Sequence, residues 1–192
     1  MPNLTMRARA GRLKMWLKIL KKINGTDLRM QLVLIFSAII DTFFCFLRPS
    51  RATFQVYRSG IVRLREYDTY FFLRKLTDDI LNVWPGREAD VHDLIMGLLE
   101  KDDTFVDVGA NVGYYSILAS RIVGEKGQVI SIEPYPSTAE VLGLNIRINN
   151  LRNIRLVPKV AWSKKSTISM CVPTGHYGWA TTYRKWREFE SC

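Results

Sequence analysis

Between Thr104 and Val157 the chain alternates strand, helix, strand, helix and strand at short pitch, and this restricts it to few folds. Phe105, Val106 and Val108 predict a short apolar strand, and Gly113 onward predicts a helix through Val123. Gly124 and Gly127 bracket a turn, and "QVISIE" predicts a second apolar strand ending on Glu133. Pro134 and Pro136 open another helix, "STAEVLGLNIRIN", which stops at Asn149-Asn150, and "NIRLVPKVA" is the third strand. Such alternation is the mark of an α/β fold, a parallel sheet with crossover helices. Ligands of these sheets bind beyond the carboxyl ends of the strands, where Asp107, Gly109 and Glu133 all fall.

Each of these residues has a chemical reason to be there. Gly109 permits a tight turn and lets a ligand reach backbone that a side chain would shield. The N–H groups of Ala110, Asn111 and Val112 are expected near a helix start, where the dipole favours negative charge. Asp107 can pair with a cationic amine, and Glu133, twenty residues beyond Gly113, can take both hydroxyls of a ribose. An amine partner, a carboxylate partner and a ribose clamp together suit S-adenosylmethionine. A nicotinamide dinucleotide is the alternative for such a sheet, but its fingerprint is G-x-G-x-x-G. Here the turn reads G-A-N-V-G, without the middle glycine that admits a pyrophosphate. The plain structural alternative is a glycine corner with a solvated acid at the next strand end.

The series "FVDVGANVGYYSILAS", "VISIEPYPSTAEVLGLNIRINNLRNIRLV" and "KVAWS" resembles the FkbM family of S-adenosylmethionine-dependent methyltransferases. The resemblance covers Thr104 to about Ser163, and the residues from Thr53 onward are similar in type. It implies a class I methyltransferase fold, a Rossmann-like three-layer sandwich, and O-methylation of a sugar, glycan or small-molecule hydroxyl. It also implies that Gly109, Ala110, Asn111 and Gly113 line the methionine side, that Tyr114 and Tyr115 flank the cofactor, and that Glu133 holds the ribose. Backbone near Ala161 would border the adenine.

Family members continue into a fourth strand with an acidic Lys-x-Asp-x-Glu-Gly type segment, and nothing after Ala161 matches it. The expectation is therefore an incomplete sheet in a truncated chain, with an unpaired edge that invites another chain. A catalytically inactive remnant, or a module that works only at a membrane surface, is the competing reading. "STISMCVP" would add at most a short strand or hairpin arm.

The front of the chain is different in kind. In the first 29 residues eight Lys and Arg oppose one acid, so this head holds +7 of the formal +10. That excess lies beside apolar helix, which points to anionic lipid before nucleic acid. "GRLKMWLKILKKING" sets Leu13, Trp16, Leu17 and Leu20 at helical spacing with Lys14, Lys18, Lys21 and Lys22 largely opposite, an amphipathic helix stopped by Asn24-Gly25. Thr26 or Asp27 caps a second helix, Met30 to Leu47, ended by Arg48-Pro49. Its apolar length reaches the lower limit for a bilayer span, and Asp41 near its middle argues against one.

"TFQVYR" and "IVRLR" around Ser59-Gly60 predict a hairpin, "EYDTYFFLRKLTDDI" a segment helical at first, and Asp90 the cap of "VHDLIMGLLEK". In that helix Val91, Leu94, Ile95 and Leu98 share a face, and His92 reads as a surface or capping residue. Three segments result: a basic and apolar helical part over 1–50, a hairpin with helices over 51–103, and a partial cofactor domain over 104–192. Cys45, Cys171 and Cys192 form no disulfide or metal spacing and fit free thiols in a cytoplasmic setting. His176 lacks a partner acid or metal set, so no catalytic residue is assigned. Trp162, Trp179 and Trp186 among Lys164, Lys165, Arg184 and Lys185 read as core before nucleic-acid stacking.

Overall fold

The computed structural model describes residues 2–47, 54–164 and 170, with backbone only over 2–10. Arg48-Pro49, "STISMCVP", His176, Trp179, Trp186, Cys171 and Cys192 lie wholly or mainly outside the described residues. The chain forms two compact units, Met1–Trp84 and Pro85–Cys192, so the stretch read as 51–103 is shared between them.

In the first unit, α1 (Pro2–Lys22) and α2 (Leu28–Leu47) flank a short strand, β1 (Ile23–Gly25). Asp27 caps α2 as expected, its Oδ1 accepting the Met30 N–H at 2.7 Å. Two further strands, β2 (Gly60–Leu64) and β3 (Thr69–Leu73), form an antiparallel sheet in the order β1-β2-β3. The hairpin therefore differs from the one expected: the described residues of "TFQVYR" contribute no strand, and the segment read as helical at first has a single 3-10 turn, Arg65–Tyr67, before "TYFFL" forms β3. Its period is two, with Thr69, Phe71 and Leu73 fully buried, and β-branched and aromatic side chains suit that pleat. Asn24-Gly25 does more than stop α1, because Ile23, Asn24 and Gly25 pair with Leu64, Arg63 and Val62.

The α1–α2 packing centres on one polar contact in an apolar setting. Trp16 and Ile19 are fully buried, and the Trp16 Nε1–H donates to Asp41 Oδ2 at 2.6 Å. Arg12 Nε lies 3.1 Å from the same oxygen, an ion pair rather than an aligned hydrogen bond, and its guanidinium sits 3.8 Å from the centre of the Phe54 ring. Beyond the sheet, Arg74 grips the buried Asp79 of α3 (Asp79–Asn82) with Nε, Nη2 and its backbone N–H at 2.7–2.9 Å.

The second unit begins with α4 (Ala89–Leu98) and continues β4 (Thr104–Val108), α5 (Tyr114–Val123), β5 (Gln128–Ile132), α6 (Pro136–Ile148) and β6 (Ile154–Val157). The three strands are parallel, in the order β4-β5-β6, with Val106 beside Ile130 and Ile132 beside Val157. Both crossovers and their elements are those the sequence predicts, within a residue or two except for β6, which ends at Val157, four residues before the predicted end. Ala119, Val123 and Val129 are fully buried with Phe105, Leu99 and Ile154 around them, fixing α5 on one face of the sheet. Each of the two valines taken from water contributes about 1.5–3 kcal/mol. Asn153 ties the start of β6 to the end of α5, its Nδ2 donating to the Ser120 and Gly124 carbonyls at 3.0 and 2.8 Å.

Val106 and Val108, on the other face, remain 51% and 63% exposed, and among the described residues β4 has β5 as its one strand neighbour. Among the described residues, helices cover one face only, so the third layer of a sandwich is not among them. Two expectations for α4 are corrected. Glu88, not Asp90, stands at its N-cap, and His92 is buried. The Tyr114 hydroxyl meets His92 Nδ1 at 3.0 Å, which sets the helix rotation and leaves Val91, Leu94 and Leu98 exposed.

Candidate cofactor site

The predicted residues converge on the carboxyl ends of β4 and β5. After Val108 the chain turns through Gly109 at φ +82°, Asn111 at φ +50° and Gly113 at φ +92°. All three lie in the left-handed region, which glycine enters freely and asparagine tolerates. The two glycines are needed for different reasons. A Cβ on Gly109 would meet nothing within 4 Å, so the space over the turn is open. A Cβ on Gly113 would overlap the Leu142 side chain of α6, so that glycine serves close helix packing.

The turn is held from beneath. Gly109 and Ala110 both donate their N–H to the Ile132 carbonyl, at 2.9 and 3.0 Å, and Asn145 Nδ2 donates to the Val112 carbonyl at 2.8 Å. Glu133 is buried, and its Oε2 accepts the Asn111 N–H while Oε1 accepts the Tyr135 N–H, each at 2.9 Å. The N–H groups of Ala110 and Asn111 therefore point into the protein, correcting the expectation that they face an anionic ligand.

Asp107 stands on the same sheet face as Glu133 by strand alternation, opposite Ser131. Its Oδ2 accepts the Ser116 hydroxyl at 2.6 Å, and Ser131 donates to that hydroxyl at 2.7 Å. Burial raises the Asp107 carboxyl above its ordinary range, and the Ser116 O–H and N–H partly offset this. Asp107 thereby supplies an acceptor to the first turn of α5, whose cap Gly113 has no side chain. Ser116, Ser131 and Asn145 escaped the sequence reading, and the available signal was polar residues set within apolar runs.

The two tyrosines part ways. Tyr114 is buried against His92, which corrects its expected place beside the cofactor. Tyr115 is half-buried with its hydroxyl 3.4 Å from Glu88 Oε2. Burial, then Glu88, then the Asp107 charge raise the phenol, with Arg87 opposing, so Tyr115 belongs on the Asp107 side of the turn. Ala161 is exposed on the loop after β6, and Trp162, read as core, is 56% exposed. A polar hollow of about 670 Å³ around Ser120, Gly124, Asn150 and Asn153 involves none of these residues.

The site fits S-adenosylmethionine on two observations. Space lies open over Gly109, and Asn111 Oδ1 is buried with no hydrogen-bond partner. An orphaned acceptor at a glycine turn suits an N–H or O–H of an amino-acid or nucleoside end. The comparisons agree on chemistry and differ on acceptor. A relative from Sulfolobus acidocaldarius, named "Probable cobalt-precorrin-6B C(15)-methyltransferase (decarboxylating)", is 40% identical over 53 residues, 28% of either chain. The protein-L-isoaspartate O-methyltransferase of Methanococcus aeolicus is 30% identical over 59 residues, covering 31% of this chain and 27% of that one. This chain thus spans less than a third of the length of these curated relatives. The solved structure of M. jannaschii TYW2 in complex with AdoMet superposes with a TM-score of 0.42 at 22% identity, over 53% of this chain and 43% of that one.

These findings support the class I, S-adenosylmethionine-dependent methyltransferase part of the sequence reading, while the family model that matches is not that of FkbM. Its match runs over residues 84–182, more than half of the chain, and the protein belongs to the protein-L-isoaspartate(D-aspartate) O-methyltransferase family.

Proposed function

We propose that the Pro85–Cys192 unit binds S-adenosylmethionine and directs its methyl group to an oxygen of an acceptor. The observation that carries this reading is the Gly109–Gly113 turn, open above Gly109, held below by Glu133 and carrying the orphaned Asn111 Oδ1. The cofactor supplies an electrophilic methyl on a sulfonium. Gly109 and Asn111 hold its methionine side, Asp107 stands by for the amine, and Glu133 accepts the ribose hydroxyls. Tyr115 walls the Asp107 side. In-line transfer of this kind depends on orientation, which a turn fixed by hydrogen bonds to Ile132, Glu133 and Asn145 supplies before any ligand arrives.

For the acceptor, a carboxylate of the isoaspartyl type is the favoured reading. A carboxylate is already ionised at neutral pH and needs no base, whereas a hydroxyl must lose a proton. Among the described residues the one histidine is His92, and its Nδ1 faces the Tyr114 hydroxyl inside the protein. The Asp-Val-Gly-Ala-Asn-x-Gly-Tyr series favours a second reading, a sugar, glycan or small-molecule hydroxyl. Transfer of a labelled methyl group to an isoaspartyl peptide, set against a panel of glycans, separates the two. No binding of S-adenosylhomocysteine to soluble, folded chain would leave the inactive-remnant reading in its place.

A further inference from the structure

We propose that the α1–α2 hairpin rests on an anionic phospholipid surface, with the outward side of α2 in the acyl boundary and the α1 lysines at the phosphates. At 100° per residue, Leu28, Leu32, Ile35, Phe36, Ile39, Phe43, Phe46 and Leu47 fall on one side of α2. Their exposures run from 40% to 74%, and from Leu32 to Leu47 that side holds no charged residue, with the half-buried Thr42 at its margin. With roughly half of each side chain bare, the stripe amounts to several hundred Å², the size at which an apolar patch marks a partner or a membrane.

The opposite side carries Met30, Leu34, Ser37, Ala38, Asp41 and Cys45, all buried. The one carboxylate of the helix therefore faces Trp16 and Arg12 and leaves the outward side free of acid. Asp41, which argues against a span, is thus no obstacle to contact at the surface. α2 has the length and hydropathy of a span, 20 residues at 2.1, but its inward side is committed to protein, with a third of its most apolar stretch buried. An interfacial position satisfies both sides at once.

Charge selects the lipid. Lys14, Lys18 and Lys21 are exposed on α1, and no acid lies between Gly11 and Lys22. Lys22 is already paired with Glu66 at 2.8 Å and is left out of the argument. Lysines on α1 and an apolar side on α2, its packed neighbour, fit a surface that is negative at its headgroups and apolar beneath.

Flotation of the full chain with phosphatidylcholine vesicles, with and without about one third phosphatidylserine, tests this. Binding should require the serine lipid and fall with salt. Replacing Lys14, Lys18 and Lys21 by Glu should weaken it about a hundredfold or more. The pair Ile39→Asp and Phe43→Asp should weaken it at least about tenfold, with circular dichroism unchanged because both residues face outward. Flotation unaffected by either variant overturns the proposal. Retention after alkaline carbonate extraction overturns it in favour of a span. Failure to float, with a dimer that Phe43→Asp disperses, overturns it in favour of a second copy on this face.

Discussion

The Glu133 carboxylate accepts the backbone N–H of Asn111 at 2.9 Å, joining the end of β5 to the glycine turn after β4. The residue read as a ribose clamp is thus also the brace of the turn that would hold the other end of the ligand. Glu133→Ala removes the acceptors of two backbone N–H groups, and should cost about 2–4 kcal/mol of stability. Glu133→Gln keeps one acceptor oxygen and should cost less than half as much. Urea unfolding measures the stability, and calorimetry with S-adenosylhomocysteine should show weakened binding in both.

The two glycines should separate stability from binding. Gly109→Ala strains a left-handed residue by about 1–2 kcal/mol and places its methyl in open space, so ligand affinity should fall more than stability. Gly113→Ala adds an overlap with the buried Leu142, for a total of about 2–4 kcal/mol. Thermal melts with and without S-adenosylhomocysteine distinguish the two. Equal losses for both variants would contradict the open site.

Asp107 should make the binding pH-dependent. Its carboxyl titrates above the ordinary 3.8 because it is buried, so the folded chain keeps that proton longer than the unfolded chain. Its contribution to stability therefore falls as pH rises from 3.8 through the raised value and is flat beyond it. A cationic amine favours the ionised form, so binding releases the proton and affinity should rise with pH across the same window. Asp107→Asn should flatten both profiles and weaken S-adenosylhomocysteine about tenfold at neutral pH. Calorimetry in buffers of different ionisation enthalpy reads the proton directly.

In the N-terminal unit, Trp16→Phe keeps an aromatic ring but deletes the N–H that meets Asp41 and part of the buried indole volume, at a cost of about 2–4 kcal/mol. Asp41→Ala leaves both Arg12 and the Trp16 N–H inside without their anion, and should cost about 3–5 kcal/mol. Burial raises the Asp41 carboxyl against the pull of Trp16 and Arg12, so Asp41→Asn should be the mildest of the three. Denaturant unfolding followed by tryptophan fluorescence ranks them.

Legibility in the sequence followed the range of the interactions. The strands, helices and turn from Thr104 to Val157 rest on local periodicity and glycine punctuation, and all were readable. "TYFFL" was not recognised as a strand because its alternation spans only five residues beside a charged stretch with helical character, and pairing with β2 decided the matter. His92 and Tyr114 were misplaced because each is buried by the other, 22 residues away. Asp107 was found as a site residue, but its Ser116 and Ser131 partners appear only when β4, α5 and β5 are brought together.

The amino-acid order by itself determined the parallel βαβαβ run, the left-handed glycine turn, the two acids at strand ends and the basic, apolar head. Those follow from backbone sterics and from side-chain spacing within one element. Tertiary structure decided which N–H groups the turn keeps for itself, which tyrosine faces the site and which side of α2 hides its carboxylate. Such choices depend on hydrogen bonds and burial between elements distant in sequence, where one buried partner outweighs any local preference.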